Sequence, residues 1–134
     1  MKTRAATRAA AVASLALSAA SSSFGCGHCI EDRVAAVYEH GIVTRALDER
    51  HQIAFLAIDG PLLAGRDPRR VIARALISAP GVDVASLRVS VPSASLSLSY
   101  DGKRISSDRI VATLNRKLTA HGLKVSLLKV LGGA

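Results

Sequence analysis

The stretch VASLRVSVPSASLSLSY, residues 84–100, decides the fold. Apolar residues alternate with mostly polar ones on both sides of Pro92-Ser93, and most of those polar residues are serines. A period of two is typical of a strand with one buried face, and the Pro-Ser turn between two such runs predicts an antiparallel hairpin. We expect the serine face of this hairpin to meet solvent, unless a helix from the N-terminal part of the chain lies across it.

Helix and strand patterns flank the hairpin on both sides. Residues 51–59 (HQIAFLAID) form an almost continuous apolar run, which is typical of a central strand buried on both faces. Asp67-Pro68 predicts the N-cap and first residue of a helix that Pro80-Gly81 ends. A second helix, capped by Ser106 or Ser107, precedes a last strand at 123–130. The order β-α-β-β-α-β predicts an α+β, ferredoxin-like sandwich with two helices on one face of the sheet.

This part of the chain, residues 51–131, resembles the heavy-metal-associated (HMA) domain, the small module of copper chaperones and metal-pumping ATPases. The resemblance is carried by Ala79-Pro80-Gly81-Val82, Leu87-Arg88-Val89, the strand at 94–101, the helix at 110–118 and His121-Gly122-Leu123. It implies a ferredoxin-like fold and a role with metal ions. The family places a Met-x-Cys-x-x-Cys motif in the loop after the first strand. Here that loop, residues 59–66 (DGPLLAGR), contains no thiol, so the ligands of the family cannot be assigned to it.

The N-terminal residues 1–23 have the pattern of a secretory signal peptide. Lys2, Arg4 and Arg8 supply a positive start, residues 9–20 an apolar run, and Ser18-Ala19-Ala20 the small residues of a cleavage site. The apolar run is too short and too weakly apolar for a transmembrane helix. We therefore expect a periplasmic or secreted protein.

Removal of this leader changes the charge of the chain. Of 18 Lys and Arg residues three lie in the leader, which leaves 15 against 10 acids, a net charge near +5. With two Phe, two Tyr and no Trp, the chain has no stacking platform for bases, which argues against nucleic-acid binding. Four arginines at 66, 69, 70 and 74 are candidates for contact with an acidic partner, although a solvated helix face is the simpler interpretation.

Residues 24–50 combine a Cys-x-x-Cys motif with an N-terminal helix that precedes the HMA-like domain. Cys26-Gly27-His28-Cys29 contains the only two cysteines of the chain, and a helix at residues 30–50 follows, in which Gly41 introduces a kink or ends a first helix at His40. Because a helix start favours negative charge, it favours the thiolate form of both cysteines. Thiolates bind metal ions and attack disulfides, so this motif predicts either function.

In the metal-binding interpretation, Cys26, Cys29 and His28 are the expected ligands. Two thiolates satisfy a soft ion such as Cu(I), whereas zinc needs four ligands and would require His28, His40 or a second chain. We expect a copper or zinc ion, a role in metal trafficking or resistance, and a metal transporter or acceptor protein as partner. No catalysis is expected.

Three alternatives to metal binding stay open. The tetrapeptide Cys-Gly-His-Cys resembles the active site of protein disulfide isomerases, which would make the protein a thiol-disulfide exchange enzyme, although no thioredoxin-like strand order follows it. Ser23-Phe24-Gly25-Cys26 partly resembles a lipoprotein processing site, and lipidation of Cys26 would attach the protein to a membrane. In the third alternative the chain is a non-catalytic interaction module, because residues 51–134 contain no catalytic constellation.

Overall fold

A computed structural model describes residues 29–62 and 66–133, and their helices and strands follow the predicted order. The predicted leader, Cys26 and His28 lie outside the described residues. The elements are α1 (Ile30–Ala36), α2 (His40–Asp48), β1 (Gln52–Asp59), α3 (Pro68–Leu76), β2 (Val82–Ser90), β3 (Ser95–Tyr100), α4 (Ser107–Leu118), a 3-10 turn (Thr119–His121) and β4 (Lys124–Leu131). None of the helices within these ranges is long and apolar enough to cross a membrane.

In the described part of the chain, four strands form one antiparallel sheet in the order β2-β3-β1-β4. This strand order with two β-α-β units is the ferredoxin-like arrangement, and it confirms the predicted α+β class. The central strands β1 and β3 pair without a register shift from Gln52 opposite Tyr100 to Ala57 opposite Ser95. The main hydrophobic core lies between the sheet and α3 and α4, and its fully buried members include Leu56, Ile72, Leu96, Leu98, Ile110 and Leu114.

Side-chain caps start the two helices of this core, as the sequence predicts. The Asp67 carboxylate accepts the backbone N–H of Arg69 at 3.0 Å, and Pro68 is the first residue of α3. The Ser106 hydroxyl accepts the backbone N–H of Arg109 at 3.2 Å at the start of α4. Each cap satisfies a backbone donor that the first turn of a helix leaves unpaired.

The N-terminal helix is present as two short helices, α1 and α2, and the break precedes Gly41. The Glu39 carboxylate accepts the backbone N–H groups of Gly41 and Ile42, both at 3.0 Å, and so starts a new helix at His40. Both helices pack on the face of the sheet opposite α3 and α4. They form a second core of Val37, Val43, Ala46, Ile53 and Phe55, against which Val34, Leu128 and Leu131 pack.

This second layer covers the serine face of β3, so of the two expectations for the serine row, contact with solvent or cover by an N-terminal helix, the structure shows the second. Ser95, Ser97 and Ser99 are all at most 4 % exposed. The Ser97 hydroxyl donates to the Val37 carbonyl at 2.7 Å, and the Ser95 hydroxyl donates to the Arg33 carbonyl at 2.8 Å. Serine is small enough to lie under a helix, and these hydrogen bonds remove the penalty for burying its hydroxyl group.

The two edge strands, β2 and β4, are irregular where the central strands are regular. The pairing of β2 with β3 shifts between Asp83 and Arg88, and the pairing of β4 with β1 shifts so that Leu128 is an extra residue. In the β2 bulge, the buried Ser86 hydroxyl donates to the Asp83 carbonyl at 2.6 Å and accepts the backbone N–H of Ser99 at 2.7 Å. Ser86 therefore supplies a side-chain bond where the backbone ladder is interrupted.

Candidate functional site

Cys29 is the one predicted ligand that lies within the described residues, and it is exposed to solvent. It is the N-cap residue of α1, with extended backbone angles of φ −63° and ψ 146°. Its carbonyl oxygen accepts the backbone N–H of Arg33 at 3.0 Å, which is the first hydrogen bond of the helix. The last residue of the Cys-x-x-Cys motif is thus joined directly to the helix.

The position of α1 is fixed by contacts with the sheet. The carbonyls of Arg33 and Val37 accept hydrogen bonds from the buried serines of β3, and the Val37 side chain is only 3 % exposed. Because Cys29 precedes this anchored helix, its backbone has a defined place at the surface of the N-terminal layer. The role of Ser95 and Ser97 in holding α1 could not be predicted, since serines that alternate with leucines usually mark a solvent-facing side of a strand.

A groove of about 520 Å³ lies along α1 next to Cys29. It is lined by Ile30, Glu31, Val34, Ala35 and Tyr38 of α1 and by Lys129 of β4. Ile30 is 56 % and Tyr38 45 % exposed, although their helical spacing with Val34 and Val37 predicts that they face inward. The packed face of α1 is narrower than its apolar stripe, so part of the stripe is accessible along this groove, which starts at Ile30, the residue after Cys29.

The electrostatic setting of Cys29 is less favourable to a thiolate than the sequence pattern indicates. Helix α1 has seven residues, and its first turn carries the exposed carboxylates of Glu31 and Asp32. A short helix has a small dipole, and two carboxylates at its positive end already balance part of it. The dipole alone therefore gives limited stabilisation to a thiolate at Cys29.

The histidines of the described region lie on separate elements. His40 is exposed at the start of α2, the His51 ring lies 3.5 Å from the Glu49 carboxylate, and the His121 ring lies 3.4 Å from the Arg66 guanidinium. Within residues 29–62 and 66–133, no three His, Cys, Asp or Glu side chains form a cluster that could hold a metal ion. The structure thus brings no described histidine into a three-ligand set with Cys29, and Cys26 and His28 lie outside its description.

No family model matches this sequence, and no curated protein matches it. Among solved structures, the chain is similar to a copper binding domain from HMA7, a P-type ATPase. The identity is 14 %, the TM-score is 0.47, and the match covers 59 % of this chain and 96 % of that chain. The assignment of a ferredoxin-like fold rests on the strand order and helix positions given above.

Proposed function

We propose that this protein is exported, binds a soft or borderline metal ion through Cys26 and Cys29, and passes the ion on by ligand exchange. The observation that supports the proposal is the position of Cys29, which is exposed at the end of a helix that the sheet holds in place. A thiolate ligand in this position remains open to an incoming ligand from another protein. The proposed role is metal trafficking or resistance, without catalysis.

The number of ligands in the motif bears on the choice of ion. Two thiolates satisfy Cu(I), which accepts low coordination numbers, and thiolates are soft ligands that this ion prefers. Zinc takes four ligands, so His28 would serve as the third and a partner or second chain would supply a fourth. Copper and zinc therefore differ in how much they depend on His28.

The proposed partner is a metal transporter or a metal-accepting protein. Such a partner must bring its own ligands to Cys29, and the groove along α1, the helix that Cys29 caps, presents the exposed side chains of Ile30 and Tyr38. Apolar and aromatic side chains of this kind are favourable contacts at protein interfaces. Glu31 and Lys129, which also line the groove, would orient the partner by charge.

The proposal is tested by titrating the reduced protein with Cu(I) and with Zn(II). We expect stoichiometric binding by the wild type, loss of binding in the Cys26→Ala/Cys29→Ala double variant, and a larger effect of His28→Ala on zinc than on copper. The matched control is His121→Ala, which removes a histidine that lies next to α3 and α4, away from the motif, and should leave binding unchanged. Equal binding by the wild type and the double cysteine variant would refute the proposal.

The intact mass of the protein recovered after export tests the proposed cleavage of the leader, the state of the two thiols and the alternative of a lipid at Cys26. A mass that corresponds to cleavage near residue 23, with two thiols and no lipid, is expected. A mass increased by a lipid would instead place Cys26 in a thioether and leave Cys29 without its partner in the motif.

A further inference from the structure

A cationic groove lies on the opposite side of the sheet from Cys29, along α3 and the 3-10 turn that follows α4. It consists of two adjoining depressions of about 460 and 220 Å³, which share Val71, Arg74 and His121. The basic side chains that line the two depressions are Arg66, Arg70, Arg74, Lys117 and His121. Individual binding sites for small molecules have volumes of about 300–1,000 Å³, which includes the larger depression.

The groove is formed by two groups of basic residues, one along α3 and one where α4 ends. Arg70 and Arg74 are four residues apart in α3, and Arg66 lies in the segment that leads into this helix; Lys117 is near the end of α4, and His121 ends the 3-10 turn that follows it. Residues four apart lie on one side of a helix. Since α3 and α4 pack against each other, the two groups lie on either side of the groove.

Arg66 and His121, which are 55 positions apart in the sequence, meet at one end of this groove. An Arg66 Nη atom lies 3.4 Å from Nδ1 of His121. Arginine can only donate, so Nδ1 accepts in this contact. The floor between the two groups is apolar and contains Val71, Ala75 and Leu118. The sequence pattern identifies the arginines but not the contribution of Lys117 and His121, because only the packing of the helices brings them together.

The groove carries little negative charge to balance these cations. Among the described residues that line the two depressions, the one carboxylate is that of Asp67, and its Oδ1 atom accepts the Arg69 N–H as the N-cap of α3. Three guanidinium groups and one ammonium group therefore face the same recess. Their mutual repulsion falls when an anion with several charges enters, and planar guanidinium groups bind phosphate oxygens in pairs.

We propose that this groove binds a small, multiply charged phosphate compound of the pyrophosphate type. A single carboxylate would balance only one of the four fixed positive charges, whereas a pyrophosphate offers several charges and acceptor oxygens to both groups. The site lies on the far side of the sheet from Cys29, so it does not depend on the metal-binding function.

The chain offers a matched control on the same helical layer. Arg104, Arg109 and Arg116 line a separate depression of about 270 Å³, beside Ser78 and Thr113. Arg109 and Arg116 are exposed, as are Arg70 and Arg74. The double variants Arg70→Ala/Arg74→Ala and Arg109→Ala/Arg116→Ala therefore remove the same charge from the same helical layer, and only the first pair belongs to the proposed site.

The test is isothermal titration calorimetry of the full chain with pyrophosphate at a fixed, moderate salt concentration. We expect saturable binding by the wild type, a loss of roughly tenfold or more in affinity for Arg70→Ala/Arg74→Ala, and less than about a twofold change for Arg109→Ala/Arg116→Ala. Circular dichroism checks that both double variants keep the fold. Because these four side chains are exposed, both variants should remain folded.

Two results would overturn the inference. The first is no binding of pyrophosphate by the wild type; if phosphatidylglycerol vesicles then bind in a way that depends on Arg70 and Arg74, the groove is part of a membrane-contacting face. The second is an equal loss of affinity in the two double variants, which would indicate a general attraction to a basic surface.

Discussion

Replacement of Ser97 by alanine tests whether β3 holds the N-terminal layer. The Ser97 hydroxyl is 4 % exposed and donates to the Val37 carbonyl at 2.7 Å, at the end of α1. Ser97→Ala removes the donor and leaves this carbonyl without that hydrogen bond in a buried place. Loss of a buried partner of this kind costs about 1–3 kcal/mol in the free energy of unfolding. For a domain of this size, the lower limit corresponds to a fall in Tm of about 4 °C.

Urea denaturation gives the change in the free energy of unfolding, and amide hydrogen exchange shows which part of the protein Ser97→Ala destabilises. The matched control is Ser126→Ala, because Ser126 is exposed on β4, and this change should alter the stability by less than about 0.5 kcal/mol. In Ser97→Ala, the amides of α1 should exchange faster than in the control. If the two variants unfold at the same urea concentration with equal exchange in α1, the serine does not hold the helix and the reasoning fails.

Three further predictions concern the second core, a tight turn and a buried phenol. Phe55→Ala, at a side chain that is 0 % exposed in the second core, should lower the free energy of unfolding in urea by about 3–5 kcal/mol. Gly60→Ala should lower the free energy of unfolding by more than about 1 kcal/mol in the same assay, because φ at Gly60 is +108° and a methyl group would collide with the Gly122 carbonyl. Gly122→Ala should lower it by less, because alanine is strained at φ +70° but its methyl group would have no neighbour within 4 Å. Burial raises the pKa of the Tyr100 hydroxyl above its usual value of about 10, and a hydrogen bond with Ser107 partly opposes this rise. The contribution of the neutral phenol to stability is therefore complete below about pH 10 and is lost as the pH rises above it, so Tyr100→Phe should remove that part of the fall in Tm at alkaline pH.

Local signals were enough to predict the order of the elements from β1 to β4. The caps at Asp67 and Ser106 act within three residues, so they depend on neighbours in the sequence and not on distant packing. The apolar run of β1 predicts a central strand, because a strand without a polar face must be covered on both sides. These features explain why the ferredoxin-like order could be predicted.

The strand pattern could not decide whether the serine row meets solvent or a helix, because its environment depends on residues about 60 positions away. Ser95 and Ser97 are buried because α1 supplies carbonyl acceptors at the correct spacing. The alternation of serine and leucine is the same whether the small polar face meets water or a helix backbone. The sequence predicts a kink at Gly41 or a first helix that ends at His40, whereas α1 ends at Ala36 and α2 begins at His40. Glycine is a helix breaker and so indicates Gly41, but the Glu39 carboxylate caps α2 and sets where this helix begins.

The candidate site was only partly predictable for a related reason. The motif identified Cys29, but its exposure and its anchored helix depend on contacts with β3. The basic groove shows the same limit: Arg70 and Arg74 belong to a visible pattern, while Lys117 and His121 join them only through the packing of α3 and α4. Tertiary packing brings side chains from different elements together, and the periodicity of residues within one helix or strand does not show which other element lies beside it.

The irregular edge strands bear on how readily this sheet could pair with a strand from another molecule. A straight, exposed edge offers a row of backbone groups with which a strand from another molecule can pair. Here both edges are interrupted, β2 between Asp83 and Arg88 and β4 at Leu128. The bulge at Leu128 also lets this side chain pack into the second core, and it is followed by the exposed, charged Lys129. The interruptions shorten the regular stretch of each edge strand, so a strand from another molecule finds fewer consecutive backbone groups to pair with.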